Sequence, residues 1–155
     1  PLLEPKMINQ VIDIFKKKKS TNISNLYTKL EREKEIADNN RVKVVLDSEN
    51  NAIYFSRAKI SSKKKGSKKI YYKQGNIFCF NKKALSYFTK LKPTNLEVAE
   101  SVDMNRLIES RYKIQMVKTN FHTVNVDDIK DFKKSVRAMK HDKYFKKYKK
   151  FSQSI

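Results

Sequence analysis

The chain has 155 residues, 39% hydrophobic and 34% charged, with 36 lysines and arginines against 16 aspartates and glutamates, a formal net charge of +20. That length suits one domain or part of one, and no apolar run of about 18 residues is present to span a membrane as a helix. The single cysteine, Cys79, excludes an internal disulfide and fits a reducing cytoplasm; with only two histidines, widely spaced, it cannot build a zinc site.

Pro5 to Lys18 reads as an amphipathic helix, with Met7, Ile8, Val11, Ile12 and Phe15 on one face, Pro5 in the first turn and lysines at the negative end of the dipole. A strand over Ser24 to Leu30 and a short helix over Glu31 to Ala37 follow. Arg41 to Asp47 and Asn51 to Ser56 are strands joined by the turn-rich Ser48-Glu49-Asn50-Asn51, which favours a hairpin. Ser61 to Lys69 is a polar loop. Ile70 to Phe80 is a long strand, central by its apolar content, in which Cys79 is a packed residue rather than a nucleophile. Lys82 to Lys90 is a helix. Thr94 opens the next one, with Glu97 three residues on as a capping box. This helix carries Glu97, Glu100, Asp103 and Arg106 at intervals of three, on one stripe. Strands over Lys113 to Val117 and Thr123 to Val126 come next, and a terminal helix starts at Asp127 and runs to about Lys150. Strands alternating with helices predict an α/β layered fold with a mixed sheet and helices on both faces.

The charge invites a nucleic-acid reading. Lysines number 30 and arginines 6, whereas readers of bases and phosphates lean on the planar fork of arginine. The lysines cluster at residues 16–19, 63–69 and 140–150, as solvated helix ends and loops do. Beyond His141, Phe145, Tyr148 and Phe151 recur at intervals of three among lysines. Such a basic amphipathic segment either lies on an anionic membrane surface or docks on the parent domain or its dimer partner; Phe132, Val136 and Met139 extend the stripe and predict that the first turns pack.

A carboxylate at the tip of a strand, beside an acid-bearing helix, can hold a divalent cation over a nucleotide phosphate; Asp127 has that position, and equally that of an N-cap. The surrounding residues carry a resemblance. Asn95-Leu96-Glu97, Glu100, Asp103, Arg106, Tyr112-Lys113-Ile114 and Val126-Asp127-Asp128-Ile129-Lys130-Asp131-Phe132 resemble, in order and spacing, the "PLE…E…LR…G.KI…VD.PEDL" run of the cytidylyltransferases that activate 3-deoxy-manno-octulosonate (Kdo). Val42-Lys43-Val44-Val45-Leu46-Asp47 with Ala52 to Ile60 is similar to that family's "VKVVLD…A.YFSRAPIP", and Tyr72 to Phe78 to its "GIY" strand.

The resemblance covers roughly residues 1 to 133, which leaves 134–155 as a basic C-terminal helix or tail. It implies a Rossmann-like nucleotidyltransferase fold of the glycosyltransferase-A type, Mg²⁺ as cofactor, a homodimer contacting through Phe55 to Ile60, and attack by the sugar's anomeric hydroxyl on the α-phosphate of CTP. It further implies Asp127 as a metal ligand and Arg57 as the catalytic cation for the sugar carboxylate or the phosphate. Lys73, Gln74, Glu97, Glu100 and Asp103 become contacts to the sugar. Many members have His where Gln74 stands, and proline where Ser61 stands. Only two glycines occur, Gly66 and Gly75, neither in a phosphate-cradling spacing. The opening Pro1-Leu2-Leu3-Glu4-Pro5 is similar to the text that follows the family's acidic "QGDEPL" signature. The expectation is therefore that the nucleotide-loop half is missing and that the fragment is inactive alone. A basic nucleic-acid-binding module and a degenerate, non-catalytic scaffold are the alternatives.

Overall fold

A computed structural model describes residues 2–61, 70–121, 123, 126 and 128–152, the last four without their side chains. Two compact units are present, one of Lys6–Asn120 and one of Pro1–Pro5 with Phe121–Ile155.

The larger unit contains β1 (Ile23–Leu30), β2 (Lys43–Leu46), β3 (Ala52–Ser56), β4 (Tyr71–Phe80) and β5 (Gln115–Lys118), in one sheet of order β3-β2-β4-β1-β5. β5 runs parallel to β1 and every other pairing is antiparallel, so the sheet is mixed and β4 is central, as its apolar content predicts. Around it lie α1 (Pro5–Lys17), α2 (Glu33–Ala37), α3 (Lys82–Phe88), α4 (Asn95–Glu100) and α5 (Met104–Glu109).

Strand alternation assigns the helices to faces. Ser24 donates its hydroxyl to the Val11 carbonyl of α1 at 2.7 Å, and Leu30 and Tyr71 pack with Ile36 of α2. The neighbouring residues Ile23 and Tyr27 point the other way, into the main core with Ala84 of α3 and Met104 and Leu107 of α5. Helices thus cover both faces. Gly75 lies where β4 bulges against β1. A Cβ there would stand 2.8 Å from the Leu26 Cβ and 3.0 Å from its carbonyl oxygen, so only glycine allows this approach.

The β2–β3 hairpin turns on Asp47. Its carboxylate accepts the Glu49 and Asn51 amides at 2.9 and 2.7 Å and the Asn51 side chain at 2.8 Å. The Asn51 hydrogen bond leads the causes that hold this carboxyl below its ordinary range.

The acid-bearing helix expected to run through Arg106 is two helices. Ser101 adopts φ 50°, and the Val102 amide closes back on the Glu97 carbonyl at 3.2 Å, ending α4. Apolar burial explains the break, because only a change of direction lets Val102, Met104 and Leu107 all enter the core. Glu97, Glu100, Asp103 and Arg106 therefore do not share one helical stripe. At the head of α4 the Thr94 amide donates to Glu97 Oε2 at 3.3 Å, the reciprocal arm of the expected capping box. The Thr94 hydroxyl has no hydrogen-bond partner of good geometry.

α5 ends in the same way. The Arg111 and Tyr112 amides bond the Ile108 and Leu107 carbonyls, each at 2.9 Å, and Arg111 stands at φ 62°. The "G.KI" pattern quoted above has glycine at this position. Left-handed backbone costs a side-chain-bearing residue about 1–2 kcal/mol, part of which glycine returns through its freer unfolded state. Arg111→Gly is expected to raise the urea midpoint, by about 0.5–1 kcal/mol of stability. An unchanged or lower midpoint would show that the arginine side chain is itself a stabilising contact.

In the smaller unit α6 spans Ile129–Met139 and α7 spans Lys143–Ser152. The α6 cap is Asp128, not Asp127: its Oδ1 accepts the Asp131 amide at 2.7 Å. The continuous terminal helix is broken at Asp142, whose Oδ1 accepts the Phe145 amide at 2.6 Å and restarts the chain as α7. Phe132 and Val136, expected to pack, are 54% and 43% exposed, and it is Ser135 that is buried. Of the strand expected over 123–126 only Thr123 and Val126 are described, and neither is in a strand. Asp127 itself and most of the polar loop at 61–69 lie outside the described residues. Among the described residues no helix is long and apolar enough to cross a membrane.

Candidate functional site

Three neighbouring strands bring several of the predicted residues to one end of the sheet. Ser56 of β3 stands opposite Lys43 of β2, and Lys43 opposite Lys73 of β4. The next amide of β4, that of Gln74, bonds the Val42 carbonyl at 2.9 Å. Arg57 leaves β3 at this end, and the C-terminus of α4 meets it there.

Glu100 organises this junction. Its carboxylate accepts the Tyr54 hydroxyl at 2.6 Å, the Ser56 hydroxyl at 2.7 Å and the Arg57 backbone amide at 2.8 Å. Burial works against its charge, but these hydrogen bonds outweigh burial and hold the carboxyl below its ordinary range. The same bond raises the Tyr54 hydroxyl. Glu100 therefore has a structural task that its position in the sequence does not reveal.

Arg57 is clamped in turn. Its Nε donates to the Glu100 carbonyl at 2.8 Å, and its terminal nitrogens donate to the Ser101 and Asn39 carbonyls at 3.1 and 3.3 Å. Two of these carbonyls sit at the α4 C-terminus, where a cation is favoured. A guanidinium has five N–H donors, so donors remain beyond these three. Among the described residues no carboxylate lies within ion-pair distance of this guanidinium; the Glu100 carboxylate takes the backbone amide instead.

Lys73 and Gln74 are both half-buried. As successive strand residues they face opposite ways, Lys73 on the Lys43 side and Gln74 on the side of Val42 and the main core. The Gln74 side-chain nitrogen is buried without an acceptor, an unusual state for a donor.

Glu97 is engaged elsewhere, with Arg106 across the α4–α5 turn. Arg106 Nε donates to Glu97 Oε2 at 2.6 Å, its Nη2 pairs with Oε1, and its Nη1 reaches the Leu91 carbonyl at 2.8 Å. The Phe88 ring lies under the guanidinium, 5.0 Å from its centroid. The pair is nine residues apart in sequence, not the i, i+3 spacing that one helix would give. Asp103 is exposed in the turn between the helices. Cys79 is half-buried, and burial pushes its thiol up and away from reactivity.

The residue that sequence reasoning passed over is Lys43. It is 1% exposed, and its ammonium donates to the Asp38 carbonyl at 2.9 Å, the Arg41 carbonyl at 2.8 Å and the Arg57 carbonyl. Burial lowers its pKa, against the charges of Asp38 and Glu100. The signal was present: a lone lysine inside Val42 to Leu46, the same anomaly that drew attention to Lys73. Among the described residues no group of three or more His, Cys, Asp or Glu could hold a metal ion.

A mixed five-stranded sheet with helices on both of its faces is a Rossmann-like α/β frame. The solved structure of CMP:2-keto-3-deoxy-manno-octonic acid synthetase complexed with CTP has this fold, matching at a TM-score of 0.80 and 24% identity over 90% of this chain and 57% of that one. The chain belongs to the cytidylyltransferase family, whose sequence model matches residues 1–119. It is 33% identical to the 3-deoxy-manno-octulosonate cytidylyltransferase of Fusobacterium nucleatum over 92% of its own length, and 36% identical to that of Syntrophus aciditrophicus over 82%. The 8-amino-3,8-dideoxy-manno-octulosonate cytidylyltransferase of Shewanella pealeana is 31% identical over 86%. The chain spans only 58%, 52% and 55% of these relatives' respective lengths.

Proposed function

We propose that this chain is the sugar-recognising portion of a cytidylyltransferase that joins CTP to 3-deoxy-manno-octulosonate or a closely related acidic sugar, releasing pyrophosphate. The observation that carries this reading is Arg57, a cation held in place by backbone carbonyls with N–H donors left over. The names of the relatives supply the acidic sugar. In this proposal Arg57 meets the sugar carboxylate, and the orphaned Gln74 amide donates to a sugar oxygen. Exposed Asp103 is free for a hydroxyl. Glu100 and Glu97 serve indirectly, the first by holding Arg57 and the second by holding the α4–α5 turn. Lys73, on the opposite face, adds positive charge at the same end of the sheet.

Mg²⁺ belongs to the same proposal, with Asp127 as a ligand. One carboxylate is too few for an octahedral ion, and such sites draw their other ligands from phosphate oxygens and water. The described residues add no cluster of metal-binding side chains to it. The homodimer contact through Phe55 to Ile60 is likewise proposed, as is a role in surface-polysaccharide synthesis.

The test is calorimetric titration of the 155-residue chain with 3-deoxy-manno-octulosonate. Binding is expected, and Arg57→Gln is expected to weaken it by about tenfold or more, the scale of one charge-assisted contact. Equal affinity in the variant would remove Arg57 from the sugar site. Saturable, salt-dependent binding to bulk DNA with no binding of the sugar would favour the basic nucleic-acid module instead.

A further inference from the structure

Lys43 is the most fully buried charged side chain described in the molecule, and nothing so far assigns it a task. Its three N–H donors meet three carbonyls from separate places: Asp38 at the end of α2, Arg41 in the loop before β2, and Arg57 beyond β3. An ammonium bears three donors, so it is fully used and cannot itself contact a ligand. Its partners are all neutral, although Asp38, Arg41, Arg57 and Glu100 all act on its charge. A charge with no ionic hydrogen-bond partner is costly to bury, and an apolar residue of similar length would fill the same space. A role in packing alone leaves that cost unexplained.

One of its three carbonyl partners is that of Arg57. The Arg57 backbone is held on both sides, its amide by Glu100 Oε2 and its carbonyl by Lys43 Nζ. A residue fixed at both its N–H and its C=O has little freedom in φ and ψ, and its Cα–Cβ direction is set with them. We propose that Lys43 is a positioning residue for Arg57, aiming the guanidinium at the anionic sugar from beneath the sheet end. The proposal rests on the sugar-binding reading of Arg57. It makes the lysine of β2 a determinant of affinity although it touches no substrate.

Two measurements on the full chain decide it. The first is a double-mutant cycle by titration with 3-deoxy-manno-octulosonate, using Lys43→Met, Arg57→Gln and the pair. Lys43→Met is expected to weaken binding by about tenfold, and the double variant to bind no more weakly than Arg57→Gln alone, because the two act as a unit. Additive losses overturn the proposal. The second is the NMR signal of the Arg57 Nε–H, which should exchange with water faster in Lys43→Met than in the wild type, with no ligand present. Unchanged exchange overturns the proposal whether or not the sugar binds. A wild-type chain that does not bind the sugar refutes the sugar-site reading, and the exchange measurement still judges the positioning role. If Lys43→Met does not fold, Lys43→Gln, which retains two donors on a polar stem, takes its place in both measurements with the same expected direction.

Discussion

Replacing Arg106 by methionine is expected to lower the urea midpoint clearly, because it breaks a two-pronged ion pair and leaves a mostly covered carboxylate without its cation. The side chains of Arg106 and Glu97 are only 15% and 13% exposed. Their pairing is two-pronged, and the third arm of the arginine satisfies the Leu91 carbonyl. Methionine fills much of the volume over Phe88 but leaves the Glu97 carboxylate with only the Thr94 amide. The double variant Arg106→Met, Glu97→Gln should recover part of the loss, since no charge is then stranded. A midpoint close to that of the wild type in the single variant would class the pair with exposed ion pairs.

The pair also predicts a pH dependence. The hydrogen bond from Arg106 is the largest cause holding the Glu97 carboxyl below its ordinary range. A depressed carboxyl contributes stability that is fully present above its unfolded value, about 4.3, and is lost as pH falls through its folded value. The wild-type advantage over Glu97→Gln should therefore be constant from neutral pH to about pH 5 and shrink in more acidic solution. An advantage that stayed level through that acid range would mean that the Glu97 carboxyl holds its proton equally in the folded and the unfolded chain.

The second large effect is expected at Asn105. β3 lies at the edge of the sheet, and its Phe55 would leave a backbone amide and carbonyl without ladder partners. Asn105 of α5, itself 0% exposed, supplies both: its Oδ1 accepts the Phe55 amide at 3.2 Å and its Nδ2 donates to the Phe55 carbonyl at 3.0 Å. An asparagine side chain thus does the work of a sixth strand at one residue. Asn105→Ala strands two buried groups, each costing about 1–3 kcal/mol, so a loss of roughly 2–6 kcal/mol is expected. Asn105→Asp should be no milder, because a carboxylate can accept from the amide but cannot donate to the carbonyl, and it adds a buried charge. Thermal unfolding that left either variant within about 0.5 kcal/mol of the wild type would mean that water replaces the side chain at the sheet edge.

Much of this was legible in the sequence because it is local. The alternation and flanking turn residues of β1 to β4, the amphipathic periodicity of α1 and the apolar content of β4 are properties of short windows, and the sheet formed with β4 at its centre. The order of the Val42, Ala52 and Asn95 motifs pointed to the cytidylyltransferase family, which a reader could see without coordinates.

What the windows could not contain was decided by long-range packing. Glu97, Glu100, Asp103 and Arg106 have helical spacing, and nothing local forbids one helix. The break at Ser101 arises because Val102, Met104 and Leu107 must reach a core built by β1, β2 and β3. The partners of Glu100 lie 43 to 46 residues away, on a strand whose proximity only the fold creates. Asp127 and Asp128 are chemically equivalent as caps; which one faces the α6 amides depends on backbone dihedrals that composition does not encode. Lys43 shows the limit most clearly. A lysine in an apolar strand announces that its ammonium needs partners, but the three carbonyls that supply them converge only when α2, the loop after it and the end of β3 are brought together in space.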